Sequence, residues 1–193
     1  MGSVISLKSE ELREILAGMP GPGPENFPGR RAGAVLAVFT ETERGPGLLF
    51  TKRAADLAEH AGQISFPGGA VEEGDQSLAA AAYRETEEEV GLAAEELEFL
   101  GPLPLQPVLQ SWLIHPFAVW WPRPRALNYS PAEVEQVLIA PLAELMAQHQ
   151  RECWLIPDPE KSCRYQIGEE LLWGATARIT GKILDRLNDC GYF

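Results

Sequence analysis

Cysteine is scarce in this sequence: Cys153, Cys163 and Cys190 are odd in number and include no CxxC pair. That usage suggests neither a disulfide framework nor a cysteine-ligated metal, and it fits a reducing, cytoplasmic setting. Basic residues are also few, 16 Lys+Arg against 28 Asp+Glu, for a net charge of −12. A field of that sign repels duplex nucleic acid and anionic membranes, so neither is expected as a partner. Long apolar runs are missing as well. The opening MGSVISLKSEEL holds no apolar segment of signal-peptide length, and the most apolar stretch, 108–121, is too short to span a bilayer. Internal repeats and low-complexity tracts are absent.

What the chain does have is 193 residues with 45% hydrophobic content, enough for one sizeable core. We expect an N-terminal helix and a Pro/Gly-rich arm over 1–29, followed by one domain over 30–193. Residues 9–18 (SEELREILAG) predict a helix with Ser9 as N-cap and Glu10 and Glu11 in its first turn, where negative charge suits the helix dipole. Residues 31–40 and 47–53 predict a strand hairpin, and 63–66 a third strand. A helix over 74–92 follows, then strands over 98–105, 113–121 and 134–139, and a helix from Pro141 to about residue 148. A late hairpin is expected from 154–156 and 164–167, and an amphipathic closing helix over 174–187. Strands mixed with helices in this order predict an α/β (α+β) sandwich.

The chemistry concentrates on the central helix. At about 100° per residue, Ala79, Tyr83, Thr86 and Val90 share one stripe, which is expected to face the core. Glu85, Glu88 and Glu89 fall together on the neighbouring stripe, with Arg84 beside Glu88 at the i, i+4 spacing. Three carboxylates on one face repel one another, and a hard divalent cation such as Mg²⁺ compensates such a cluster. Charge runs such as ETEEE are more often a solvated face, so the surroundings decide. Just upstream, Phe66-Pro67-Gly68-Gly69 supplies two glycines that admit positive φ and close approach of a ligand to the backbone. Asp75 is expected to cap the helix.

Taken together, residues 69–92, GAVEEGDQSLAAAAYRETEEEVGL, resemble the Nudix box, G-x5-E-x7-R-E-U-x-E-E-x-G-U, where U is a bulky aliphatic residue. Asp75 replaces the early glutamate, one extra residue precedes Arg84, and Thr86 replaces the first aliphatic. The resemblance implies a Nudix-type α/β/α sandwich with a mixed sheet. It also implies Mg²⁺ or Mn²⁺ held by Glu85, Glu88 and Glu89 with the Gly68 carbonyl, and Arg84 orienting a glutamate by ion pairing. Upstream, residues 48–69 (LLFTKRAADLAEHAGQISFPGG) look like the extra signature of the coenzyme A pyrophosphatase branch, LLTxRSxxxRxxxGxxxFPGG, with Ala54 and Ala58 in place of its serine and arginine. The run from Leu172 to Arg178 (LWGATAR) also looks like that branch.

These resemblances make Glu85, Glu88, Glu89 and Arg84 the candidate catalytic set, and Lys52, Arg53, Gly62, Phe66 and Gly69 the candidate substrate contacts. The implied reaction is metal-dependent hydrolysis of a nucleotide diphosphate, coenzyme A or acyl-CoA yielding 3′,5′-ADP and 4′-phosphopantetheine. The attacking water gives its proton to a box glutamate or to a loop glutamate such as Glu133 or Glu135. ADP-ribose, NADH or a dinucleotide polyphosphate stays open as substrate, as do a non-catalytic ligand-binding module and a homodimer.

Overall fold

The computed structural model describes residues 8–19, 29–57, 60–108 and 111–193. Strand β1 (Arg31–Thr42) carries small and apolar side chains on both of its faces, so it suits the middle of a sheet covered on both sides. It turns back into β2 (Gly45–Arg53), with Val38 opposite Leu49 and Thr40 opposite Gly47. Beyond β2 lie the short β3 (Ile64–Ser65) and, further down the chain, β8 (Val134–Pro141). On the other side of β1 runs β7 (Trp112–Trp121), parallel to it from Arg31 opposite Trp112 to Thr40 opposite Trp121. Three more strands complete the sheet: β4 (Gly68–Ala70) against β1, and β5 (Glu98–Pro102) and β6 (Gln106–Val108) against β7. One parallel pairing among antiparallel ones makes this sheet of eight described strands mixed.

Side chains alternate across the pleat, and each face buries its own core. Ala34, Leu36, Val38, Leu49, Val119 and Trp121 pack against α2 (Leu78–Val90). Ala37, Phe39, Leu48, Phe50, Ala118 and Trp120 pack under α1 (Ser9–Ala17), α3 (Leu142–Met146) and α4 (Gly174–Asp189). The result is the expected α/β/α sandwich. Helix α1 is part of that second layer: Leu12 and Leu16 are buried in it, Arg13 donates to the Phe99 carbonyl, and Arg186 of α4 donates to the Ile15 carbonyl.

Several expectations are corrected. Helix α2 begins at Leu78, with the Ser77 hydroxyl capping the Ala80 N–H; Asp75 is engaged elsewhere, as described below. Lys8, not Ser9, occupies the N-cap position of α1. Residues 153–155 form a 3-10 turn, and the late hairpin is instead β9 (Tyr165–Ile167) with β10 (Glu170–Leu172) around Gly168. The expectation of no disulfide is overturned: Cys153 and Cys163 are bonded, their Cα atoms 4.9 Å apart. The turn between residue 155 and β9 folds the chain back on itself, a proximity that a ten-residue spacing without a motif does not announce. Cys190 is free and exposed. The prolines and glycines of the expected arm over 20–28, and Ala58, lie outside the described residues. No described helix is long and apolar enough to cross a membrane.

Candidate active site

The site is built where β4 delivers its glycines to the flank of α2. Alanine-rich sequence, the Ser77 cap and Gly91 in the left-handed conformation at the C-terminus (φ 66°) fix the length of α2. Its core-facing side is Ala81, Ala82, Thr86, Glu89 and Val90, so the helix is rotated relative to the expected stripe, and Ala79 and Tyr83 are only partly buried. Thr86 is accepted at a core position because its hydroxyl donates to the Ala82 carbonyl at 2.7 Å. The rotation brings Glu89 inward, to 3% exposure, and leaves Glu88 facing solvent.

The Glu89 carboxylate accepts from the Gly68 backbone N–H at 3.1 Å and lies 3.8 Å from Arg53 Nη1. Burial pushes its pKa up to about 7, with help from the charges of Glu85 and Glu133, against the opposing Gly68 N–H and Arg53. Glu85 is shifted upward as well, again chiefly by burial and against the pull of Arg84. Its carboxylate packs so tightly on Gly69 that a Cβ there would lie 2.5 Å from it. The missing side chain at Gly69 is what lets Glu85 reach the loop. Gly68, with φ 141°, is equally constrained, since a Cβ would meet the Ala34 carbonyl oxygen at 2.3 Å.

Arg84 ties the loop to the helix. It meets Asp75 through two parallel hydrogen bonds of 3.0 and 3.1 Å, and it also reaches Glu85 at 2.9 Å, Glu88 at 3.2 Å and the Ala70 carbonyl at 3.3 Å. That bidentate contact holds the Asp75 carboxyl below the usual range. Sequence reasoning missed this partnership by treating Asp75 as a cap. The aspartate in place of the early box glutamate was the available signal.

The expected convergence of three carboxylates is also corrected. Glu85 and Glu89 come together, whereas Glu88 turns outward to Arg84, and among the described residues no three acidic, histidine or cysteine side chains are gathered into a ready-made metal cage. The third charge felt by both glutamates is that of Glu133, on the loop before β8. This loop is pinned to the end of α2 by Ser130 N–H donating to the Glu89 carbonyl and to the end of β2 by Ala54 N–H donating to the Glu133 carbonyl. A buried and a half-buried carboxylate, both with raised pKa values, fit a divalent cation, because Mg²⁺-type ions bind through one or two carboxylates and leave their other positions to water and phosphate oxygens.

Among the proposed substrate contacts, Arg53 stands beside Glu89, and its Nε is buried without a hydrogen-bond partner among the described residues. Gly62, at φ 69°, donates its N–H to the Arg53 carbonyl and so shapes the turn leading to β3. Lys52 is bound to Glu135 at 2.9 Å and Glu170 at 2.8 Å. Phe66 is a correction: its ring is 1% exposed and stacks on Phe50 at 5.0 Å in the core beneath the opposite face, out of a substrate's reach. It positions Pro67, whose carbonyl accepts from the Leu36 N–H, and thereby the glycines. His115 is buried, and burial lowers its pKa; His60 contacts Gln63 at 3.0 Å.

Comparison with known proteins shows the family. Residues 29–155 match the NUDIX domain family. The chain is 31% identical over 187 residues to the "Uncharacterized Nudix hydrolase NudL" of Photorhabdus laumondii, covering 95% of this chain and 99% of that protein. It is 37% identical over 153 residues to the protein of the same description from Citrobacter koseri, covering 78% of this chain and 79% of that one. Among solved structures, the MutT protein from Methanosarcina mazei Go1 superposes with a TM-score of 0.54 at 19% identity, over 82% of this chain and 96% of that one. The chain belongs to the NUDIX family and is a hydrolase that acts on pyrophosphate bonds in nucleoside diphosphate derivatives.

Proposed function

We propose that the substrate is coenzyme A or an acyl-CoA, cleaved to 3′,5′-ADP and 4′-phosphopantetheine with Mg²⁺ or Mn²⁺. The observation that carries the metal-dependent reading is the pair of Glu85 and Glu89, two carboxylates brought together on the Gly68-Gly69 turn with their pKa values raised. Glu85, Glu89, the Gly68 carbonyl and the outward-facing Glu88 would hold the ion. When bound, a divalent cation neutralises the diphosphate and polarises phosphorus toward attack. The substrate assignment rests on the run from Leu48 to Gly69, whose Arg53, Gly62 and FPGG positions match the coenzyme A branch.

The remaining roles follow from the side chains themselves. Arg84, clamped by Asp75, positions Glu85 and Glu88. Arg53, whose Nε has no partner among the described residues, offers donors to a phosphate oxygen. Glu133 is the loop carboxylate suited to take the water's proton, since it is exposed and close enough to act on both glutamates, whereas Glu135 is occupied by Lys52. Product chromatography with coenzyme A, ADP-ribose and NADH, each with Mg²⁺ or Mn²⁺, tests the assignment. Fastest release of 3′,5′-ADP from coenzyme A is expected; faster turnover of either competitor reassigns the pocket while keeping the chemistry.

A further inference from the structure

A second polar cluster lies on the opposite layer, between α3, α4 and β9, and the diphosphatase chemistry makes no use of it. Asp185 on α4 is its hub. One carboxylate oxygen meets His149 Nε2 at 2.9 Å, while the other accepts from Trp154 Nε1 at 2.7 Å and from the Glu152 N–H at 3.0 Å. Burial works to raise the Asp185 pKa, but the hydrogen bonds from His149, Trp154 and Glu152 prevail and hold it low. The other imidazole nitrogen, His149 Nδ1, lies 2.8 Å from the Tyr165 hydroxyl. Both groups point at sulfur: Cys153 Sγ is 3.8 Å from the Tyr165 hydroxyl and 4.0 Å from His149 Nδ1.

The Cys153–Cys163 bond is set against α4 at Gly181, where a Cβ would lie 2.6 Å from Cys163 Sγ and 3.2 Å from Cys153 Sγ. A cavity of about 320 Å³ is lined by both cysteines together with Gln148, Lys161, Arg164 and Tyr165. That space admits a small molecule. The buried acid–imidazole–phenol chain therefore ends on one sulfur of a disulfide that a cavity reaches.

We propose that Cys153–Cys163 is a reversible thiol–disulfide exchange site for a low-molecular-weight thiol, with Cys153 as the leaving sulfur and Tyr165 and His149 as its proton donors. The thiolate of the incoming molecule attacks Cys163 Sγ, forming a mixed disulfide and breaking the bond to Cys153. The electron pair goes to Cys153 Sγ, which is protonated in one concerted relay: the Tyr165 hydroxyl gives its proton to sulfur as a doubly protonated His149, paired with Asp185, returns the Nδ1 proton to the tyrosine oxygen, so that no buried tyrosinate forms. A second thiolate attacks the small molecule's sulfur, releasing the small-molecule disulfide and Cys163 as a thiolate that takes its proton from water. The protein disulfide gains two electrons and two protons to become a dithiol, and two small thiols are oxidised to one disulfide. The ease with which the leaving sulfur departs is one factor in the rate of such exchange, so donors placed beside Cys153 favour attack on Cys163.

The test is mass spectrometry after iodoacetamide labelling of the folded full-length chain, treated with reduced glutathione and then with glutathione disulfide. Cys190, exposed and free, is alkylated before the glutathione steps, so that it carries one label throughout and serves as the internal count. The proposal expects one label to become three under glutathione with circular dichroism unchanged, and to return to one under the disulfide. His149→Gln and Tyr165→Phe are each expected to slow reduction roughly tenfold or more. A count that stays at one until the protein is unfolded overturns the proposal. So does a folded His149→Gln variant, verified by its melting temperature, that reduces at the wild-type rate.

Discussion

The two polar clusters of this protein sit on opposite layers of one sheet and are built on opposite rules. Around Asp185 the hydrogen-bonding capacity is consumed internally: three donors converge on one carboxylate, and His149 is held at both nitrogens. Around Glu89 it is withheld. A carboxylate at 3% exposure receives one backbone N–H, its arginine neighbour stands 3.8 Å away, and that arginine keeps a buried nitrogen without a partner among the described residues. Burying charge is costly unless the charge is matched, so the first cluster stabilises the fold and the second is completed only by what binds there. A loss at Glu89 should therefore appear in turnover, and a loss at Asp185 in stability.

The sharpest way to break this contrast is Glu89→Gln. It keeps the shape of the side chain, removes a charge that burial opposes, and leaves a group that can still accept from Gly68. Turnover is expected to fall about a thousandfold, on the order of 4 kcal/mol in transition-state stabilisation, while the melting temperature holds or rises. A steady-state assay beside calorimetry reads both numbers, and a large drop in melting temperature would mean that Glu89 is structural. Next in size is Asp185→Asn, which takes away the charge that three donors share. About 2 kcal/mol of stability should be lost, with kcat of the folded protein unchanged. The sign with pH follows from the direction of its shift. Because the folded pKa lies below the unfolded one, the stabilisation is fully present above the ordinary carboxylate pKa and fades as pH falls through the depressed value. Denaturant titrations of wild type and Asp185→Asn should converge in strongly acidic buffer.

Smaller still is Gly69→Ala. The added methyl group falls on the Glu85 carboxylate, which must retreat from the loop. Turnover should drop about tenfold, roughly 1.4 kcal/mol, with a weaker apparent affinity for the metal measured by titrating Mg²⁺ against rate. An unchanged metal dependence would separate Glu85 from the ion.

The sequence spoke clearly about the first cluster and hardly at all about the second, for a physical reason. Residues 68–91 are contiguous, so the glycine turn, the helix period and the carboxylate spacing could be read in one dimension, and the strand hairpin β1–β2 likewise. What could not be read was rotation: the packing of Thr86 and Val90 turns Glu89 inward and Glu88 outward, a difference of one residue on the helical wheel. Asp75 was legible as a helix-start residue, but its choice between capping and pairing with Arg84 depends on where the loop lies. His149, Tyr165, Cys153, Cys163 and Asp185 are brought together from α4, β9 and the chain around a 3-10 turn. No local pattern encodes that meeting, and an odd number of cysteines without a motif argued against the bond that forms. Phe66 shows the converse, a residue in a recognisable signature whose ring belongs to the core.

The smallest expected effect separates neighbours in the chain. Lys52 and Arg53 are adjacent at the end of β2 and carry the same charge, yet Lys52 is answered by Glu135 and Glu170, while Arg53 stands beside Glu89 with a nitrogen to spare. The ion pairs of Lys52 join β2 to β8 and β10, so Lys52→Met should cost stability of about 1 kcal/mol or less, typical of partly exposed pairs, and change kcat/KM by less than about threefold. Arg53→Met, measured beside it with the same substrate, should raise KM and lower kcat/KM well beyond that. Equal losses for both would mean that the lysine leaves its acidic partners when substrate binds, and the pocket would then extend across the end of β2 toward Glu170.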